Sequence, residues 1–295
     1  MQAPLVDVIL VAYNSRSTLR LAVQRLVGFA EVRVIVVDNA SPDDSVAVVA
    51  DLPVEIIRAG FNGGFAAGSN LGARRGSAPF VLLLNPDATI GPEDLMTLVG
   101  ALTATPRAGL AAPRVEHPDG RLVWSQRRFA RPCSTWAQAL FLHRVWPLAG
   151  WTDEVIRDPA AYDTSASPEW VSGACMLIRR SAWEQIGGLD ERYFLYCEDQ
   201  DFCRRLRDRG HDVLFEPSAT ARHVGGVSSN AGETLPIAAQ SRLLYAEHHF
   251  TCPRAALQRA GIALSAATHM LSNARRPALR RGHAGALRRA LGAKA

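Results

Sequence analysis

Cysteine is sparse in this sequence and shows no pairing pattern. Cys133, Cys175, Cys197, Cys203 and Cys252 form no CxxC pair, and five scattered thiols suit neither a disulfide framework nor a zinc cage. A reducing cytosol fits that usage. No apolar run approaches the roughly 20 residues of a membrane-spanning helix. The opening stretch MQAPLVDVILVAYN has no basic n-region and soon turns polar, so it reads as a first strand and not as a signal peptide. The GxGxxG fingerprint of dinucleotide-binding domains is missing after that strand, where the chain has AYNSRS, and no Tyr-x-x-x-Lys pair occurs. Nucleotide-sugar oxidoreductases and epimerases are thereby excluded. Acidic residues stop at Glu247. Nine of the 33 basic residues lie beyond it, which leaves 24 basic against 28 acidic residues in 1–247, so the net charge of +5 belongs to the C-terminal end.

What remains is the composition of a folded globular chain: of 295 residues, 48% are hydrophobic and 21% charged, enough for one large domain or two small ones. Apolar runs rich in β-branched residues alternate with stretches of helical period. LVDVILVA (5–12), VRVIVVD (32–38), VEIIRA (54–59), FVLLLN (80–85) and GLAAP (109–113) stay apolar on both faces, as strands buried inside a parallel sheet do. Between them, SRSTLRLAVQRLVGF, PDDSVAVVAD, GFAAGSNLGARRG and PEDLMTLVGALTA carry Ser, Asp or Pro near several starts, the residues of helix entry. Repeated βα units predict an α/β fold with a doubly wound, mostly parallel sheet, whose ligands bind in the loops beyond the carboxyl ends of the strands.

Those loops hold Tyr13-Asn14-Ser15, Asp38-Asn39-Ala40-Ser41, Phe61-Asn62-Gly63-Gly64 and Asn85-Pro86-Asp87. A carboxylate or amide for a base edge, bare backbone for close approach and an acid near the phosphates are what a nucleotide requires. Taken in order, VAYN, VVDNAS, NGGFAAGSNLG, LLLNPD, WVSGACMLIRR, FLYCEDQDFCRRLR and a late histidine resemble glycosyltransferase family 2, especially its rhamnosyltransferase-like branch. The resemblance covers residues 5–230. It implies a GT-A fold in residues 1–230, with a Rossmann-like nucleotide-sugar-binding half (1–113) and an acceptor and catalytic half (114–230), and it leaves 231–295 as a basic helical tail. It puts a nucleotide-sugar donor on Ala12, Tyr13, Asn14, Asp38 and Asn39, with Asp38 at the pyrimidine edge, and on Asn62, Gly64, Asn70 and Asn85. Deoxythymidine diphosphate rhamnose (dTDP-rhamnose) is the leading donor, with UDP-hexoses second.

The family's metal motif is usually Asp-x-Asp, but here it reads Asn85-Pro86-Asp87, so only Asp87 keeps a carboxylate. A divalent cation neutralises the charge that develops on a leaving nucleoside diphosphate. With one carboxylate gone, the resemblance makes His223, in TARHVGG, a further metal ligand. An imidazole tilts the choice toward Mn2+ over Mg2+, though either can serve. Alone, an NPD after a strand is more often a turn, and a single His more often structural; the family order reverses both readings. In the run Glu198 to Leu206, a period of 3.6 puts Asp199 on one face with Phe202, Cys203 and Leu206, and therefore inward. Glu198 and Asp201 fall on the side of Arg205 and read as solvated charges suited to a helix N-terminus. Without the resemblance all three acids would read as surface residues. With it, Asp199 is the candidate base of an inverting transfer and Glu198 the reserve.

Between Val115 and Ser167 the βα rhythm stops, and the chain becomes rich in Trp, Phe and Arg. Such aromatics either stack on acceptor sugars or pack a core or subunit contact. Packing is the preferred role for Trp136 and Trp146, while Trp170 and Gly173, in WVSGA, are candidate acceptor contacts. The acceptor itself, a cell-envelope glycan or a lipid-linked intermediate, is implied only by the resemblance. Helical stretches after Leu235, arginine-rich and free of acids beyond Glu247, suit an anionic membrane surface and a peripheral place at the inner face of the plasma membrane. A solvated helix or frayed end is the plainer alternative for roughly the last 20 residues. Nucleic acid is set aside, because the body is net acidic and shows no recognition motif; a homo-oligomer stays open. A non-catalytic nucleotide-sugar-binding module would keep the donor loops but not Asp87, Asp199 and His223 together.

Overall fold

In the computed structural model, which describes residues 3–225 and 231–292, the first apolar run forms β1 (Val6–Ala12), buried along its whole length. The chain continues through α1 (Leu19–Gln24), β2 (Val32–Asp38), β3 (Glu55–Arg58), α2 (Gly64–Arg75) and β4 (Phe80–Leu84). PDDSVAVVAD forms only a short 3-10 turn, Ser45–Val49; three valines and the nearby Pro53 disfavour an α-helix there. Next come β5 (Ala88–Ile90), α3 (Pro92–Ala104) and β6 (Ala108–Glu116). Helix α3 starts on Pro92 with Glu93 and Asp94 in its first turn, where proline costs no hydrogen bond and acids complement the dipole.

The segment where the rhythm stops yields β7 (Gln126–Arg127), α4 (Pro132–Ala139) and β8 (Trp170–Val171). It leads to β9 (Cys175–Arg179), α5 (Arg180–Ile186), α6 (Glu198–Asp208) and β10 (Asp212–His223). Three helices follow, α7 (Ala231–His249), α8 (Cys252–Ser272) and α9 (Pro277–Ala290).

Eight strands form one sheet in the order β3-β2-β1-β4-β9-β6-β10-β5, and β7 pairs with β8 apart from it. Strands β3, β2, β1 and β4 are parallel neighbours, as are β6 and β10. Strand β9 runs antiparallel between β4 and β6, and β5 antiparallel to β10. The expected mostly parallel α/β sheet is therefore present, with a central antiparallel strand taken from the CMLIR segment. Alternate residues of β1 feed two cores: Val6, Val8 and Leu10 pack with α1 and α3, and Ile9 packs with α2, α5 and α6. Helix α2 lies close on β1, since a Cβ on Gly72 would stand 2.5 Å from Ile9 Cγ2.

The C-terminal helices share a core of Leu243, Ile262, Ala266, Ala286 and Ala290. Helix α8 also packs on α4, where the Trp136 indole N–H donates to the Leu257 carbonyl at 3.0 Å and the Gln258 amide to Thr135 Oγ1 at 2.7 Å. Trp136 thus has a packing role. Trp146 lies outside the core, 51% exposed beside Trp151, with ring centroids 6.0 Å apart. Residues 277–290 form a packed helix and not a frayed end.

Candidate active site

The ends of β1, β2 and β4, with the entry to α2, surround a cavity of about 970 Å³. Tyr13, Asn14, Asn39, Asn62, Gly64 and Asn85 line it. Glycine is obligatory at 64: its φ is +86°, and a Cβ there would lie 2.1 Å from the Phe194 carbonyl oxygen. That turn is braced by the Asn39 amide, which donates to the Gly64 carbonyl at 2.8 Å, and by Asn62 Oδ1, which accepts from the Gly64 N–H at 3.0 Å. Ala12 and Asp38 stand behind this lining. Ala12 is fully buried, and the Asp38 carboxylate accepts from the Ser41 N–H at 2.9 Å and from Arg58 at 3.2 Å. Asn70 departs from the expectation and does not line the cavity. Its amide donates to the Leu189 carbonyl at 2.8 Å and its oxygen accepts from the Leu189 N–H at 3.0 Å, so it fastens α2 to the loop before α6.

At the mouth of β4, the Asp87 Oδ1 and His223 Nε2 atoms are 3.1 Å apart, with Asn85 Nδ2 at 3.4 Å from the same imidazole nitrogen. The pairing of β5 with β10 sets His223 opposite Ala88, so the last residue of β10 reaches the NPD turn. The Asp87 Oδ2 atom accepts from the Gly225 N–H at 3.1 Å. One carboxylate and one imidazole converging at the cavity fit a divalent cation of Mn2+ or Mg2+ type that completes its shell with diphosphate oxygens and water. A second group of Asp190, Asp201 and His248 has ligand atoms within 4.8 Å of one another. Its carboxylates are already engaged by Arg192, Arg205 and His249 at 2.7 Å, and none of the three lines the cavity, so it reads as a packing cluster.

A second cavity of about 430 Å³ adjoins the first. Phe65, Asn85, Leu195, Tyr196 and His223 line both, and Trp170, Gly173, Glu198 and Asp199 line only the second. Tyr196 and Cys197 enter α6 with φ of +69° and +65°, uncommon for residues with a Cβ and typical of functional turns. The turn aims Asp199 at Gly173, whose N–H donates to Oδ2 at 2.9 Å, while the Gln200 N–H donates to Oδ1 at 2.8 Å. Burial pushes the pKa of Asp199 above the usual carboxylate range, against the pull of those N–H groups and of Arg127. Burial pushes Glu198 well above that range, and the neighbouring Asp199 charge adds to it. Glu198 Oε2 is buried without a hydrogen-bond partner.

The inward face of Asp199 was legible, but Glu198 and Asp201 are not solvated. They are 6% and 1% exposed, because α7 closes over this side and brings His249 Nε2 to 2.7 Å from Asp201. The same helix contributes Ile237 to the first cavity and Arg242 to the second. No motif announces these residues; the stretch after Leu235 read only as mixed apolar and arginine-rich helix.

The sheet and the cleft at its strand ends define a glycosyltransferase of the GT-A fold. Residues 7–187 match the family Glycosyl transferase family 2, and the chain belongs to it. It is similar to the N-acetylglucosaminyl-diphospho-decaprenol L-rhamnosyltransferase of Mycobacterium tuberculosis, at 33% identity over 264 residues, 83% of this chain and 85% of that one. It is similar also to the rhamnosyltransferase WbbL of Escherichia coli, at 26% over 159 residues, 49% of this chain and 52% of that one. Among solved structures, the mannosyltransferase PcManGT from Pyrobaculum calidifontis, in complex with GDP-Man and Mn2+, shares the fold with a TM-score of 0.60 at 16% identity, over 100% of this chain and 89% of that one. The chain is thus a rhamnosyltransferase-like member of its family, as the motif order implied.

Proposed function

We propose that this chain is an inverting, divalent-metal-dependent glycosyltransferase that moves rhamnose from dTDP-rhamnose onto a hydroxyl of a lipid-diphosphate-linked, cell-envelope acceptor. The observation that carries the reading is the position of Asp199: an under-compensated carboxylate, held by the Gly173 N–H, in a cavity that shares the Asn85 and His223 wall with the donor cavity. The rhamnosyltransferase of Mycobacterium tuberculosis, named for an N-acetylglucosaminyl-diphospho-decaprenol acceptor, supports the choice of donor sugar and acceptor. Residues 1–230, with halves at 1–113 and 114–230, form the catalytic domain in this reading, and α7 lends Ile237 and Arg242 to its two cavities.

The Asp87 and His223 side chains would hold the cation, which supplies charge neutralisation for the leaving diphosphate. The lining amides of Asn14, Asn39 and Asn62 hold the nucleotide and sugar, and Trp170 offers a face to the acceptor. Asp199 accepts the hydroxyl proton as the acceptor oxygen bonds to the anomeric carbon and the carbon–oxygen bond to the diphosphate breaks. One displacement inverts that centre. Asn70 is left out of the donor set, being engaged with Leu189.

A peripheral seat at the inner face of the membrane completes the reading. Among the described residues no helix is long and apolar enough to cross a membrane. Val145, Leu148, Trp146 and Trp151 nevertheless expose apolar surface within one segment, and Arg280, Arg281 and Arg288 on α9 supply charge for anionic lipid.

A donor-hydrolysis and transfer screen over a panel of nucleotide sugars, with Mn2+ and with chelator, tests the proposal. The expected result is turnover of dTDP-rhamnose that chelator abolishes and that Asp87→Ala and His223→Ala weaken through donor affinity. Preference for a UDP-hexose would correct the donor, and donor affinity equal with and without metal would refute the ligand pair.

A further inference from the structure

Beside the acceptor cavity a groove of about 700 Å³ is lined on its polar side by His117, Arg121, Arg127 and Arg157, with no carboxylate among the described residues of its lining. Arg127, on β7, lines both this groove and the cavity that holds Asp199. Its guanidinium lies 5.6 Å from the centroid of the Trp170 ring. Among the described residues it has no hydrogen-bond or ion-pair partner, and its Nε is buried without one. A buried donor left unsatisfied carries a cost of about 1–3 kcal/mol, more for a charged group. The arginines nearby are used differently: Arg121 pairs with Asp119 at 2.7 Å and Arg157 with Asp153 at 3.0 Å. Each guanidinium has five N–H donors, so both keep some for a ligand. The rest of the lining is apolar, formed by Leu122, Val123, Trp124 and Val155.

An unpaired cation at the border with the Asp199 cavity, further cations and a set of apolar side chains lining one groove match an anionic amphiphile. We propose that the groove takes the diphosphate of the acceptor between Arg127 and Arg157, and the first apolar units of its lipid along Leu122, Val123, Trp124 and Val155. The proposal rests on the reading of the Asp199 cavity as the acceptor's sugar site. In an acceptor whose sugar is bonded directly to the diphosphate, the phosphates lie about one ring's width from the reacting hydroxyl, and Arg127 stands at that border.

Calorimetry on the full chain in chelator, with geranyl diphosphate as probe and geraniol and inorganic pyrophosphate as controls, tests this. Geranyl diphosphate should bind at least about tenfold more tightly than either control, since the groove offers charge and apolar surface together. Arg127→Gln should weaken it about tenfold or more, Arg127→Lys should recover part of the loss, and Arg157→Gln, which lies outside the Asp199 cavity, should weaken it by a few-fold. Saturating dTDP, which fills the donor cavity, should leave it unchanged. Binding that survives both Arg127→Gln and Arg157→Gln, or that dTDP displaces, would overturn the proposal, the second outcome placing the diphosphate in the donor cavity. Pyrophosphate binding as tight as geranyl diphosphate would remove the lipid wall. Donor turnover without geranyl diphosphate binding would count against the groove alone, and binding without any turnover against the transferase reading.

Discussion

Two ends of the same sheet treat buried carboxylates in opposite ways. At the amino end of β1, Asp7 is completely buried and surrounded: Arg33 and Arg180 each donate at 2.7 Å, and the Ala78 N–H donates at 2.7 Å. A Cβ on Gly76 would strike that carboxylate at 2.1 Å, so the chain is shaped around it. At the carboxyl ends, Asp199 is held only by backbone N–H groups and Glu198 keeps an oxygen without a partner. Burial drives both above the usual carboxylate range. A charge that ties β1, β2 and α5 together is compensated from every side, whereas the one proposed to take a proton is left short of partners.

Breaking the carboxyl end should have the largest effect. Asp199→Asn keeps the volume and removes the proton acceptor, so transfer should fall by roughly 10²–10⁴-fold while calorimetry finds donor affinity retained; activity within a few-fold of wild type would move the base to Glu198. Breaking the amino end should cost stability and not chemistry. Asp7→Ala leaves Arg33 and Arg180 unpaired and should destabilise the fold by about 3–5 kcal/mol in denaturant titrations, with specific activity of the folded fraction preserved.

Glu198→Gln sharpens the contrast with a gain. A carboxyl whose folded-state pKa is raised contributes stability below its unfolded value and loses it as pH rises through the folded value. The amide should therefore raise the melting temperature more at pH 8 than at pH 5, and an equal change at both would contradict the assignment. The smallest effect on chemistry belongs to the C-terminal helix. Ending the chain at Ser272 removes α9, including Ala286 and Ala290 from the shared core, so some thermal stability should go while donor hydrolysis persists. Seven basic residues at about 1 kcal/mol each near an anionic surface go with it, and co-sedimentation with anionic vesicles should weaken. Binding unchanged by truncation and by salt would assign the helix to packing alone.

The strands and the loops that line the first cavity were legible because each is local: doubly apolar runs, short polar residues at their ends, and a helical period that turned Asp199 toward the second cavity. What the sequence concealed was supplied by distant segments. Glu198 and Asp201 follow the pattern of solvated charges until α7 covers them. Asn70 sits inside a donor-loop motif, yet Leu189, far along the chain, takes both ends of its amide. The antiparallel β9 is an apolar run like its neighbours, and strand direction follows from the connections around it, which periodicity does not encode. Trp146 and Trp151 carry no mark in sequence that separates an exposed aromatic from a buried one.

The central claim is that burial holds Asp199 ready as the base, and the pH dependence of turnover at saturating donor and metal tests it most directly. The account predicts that the rate rises with a single ionisation above the usual carboxylate range, as Asp199 loses its proton, and that this limb is absent from the residual activity of Asp199→Asn. A limb within the ordinary carboxylate range, or one that persists in Asp199→Asn, would contradict it.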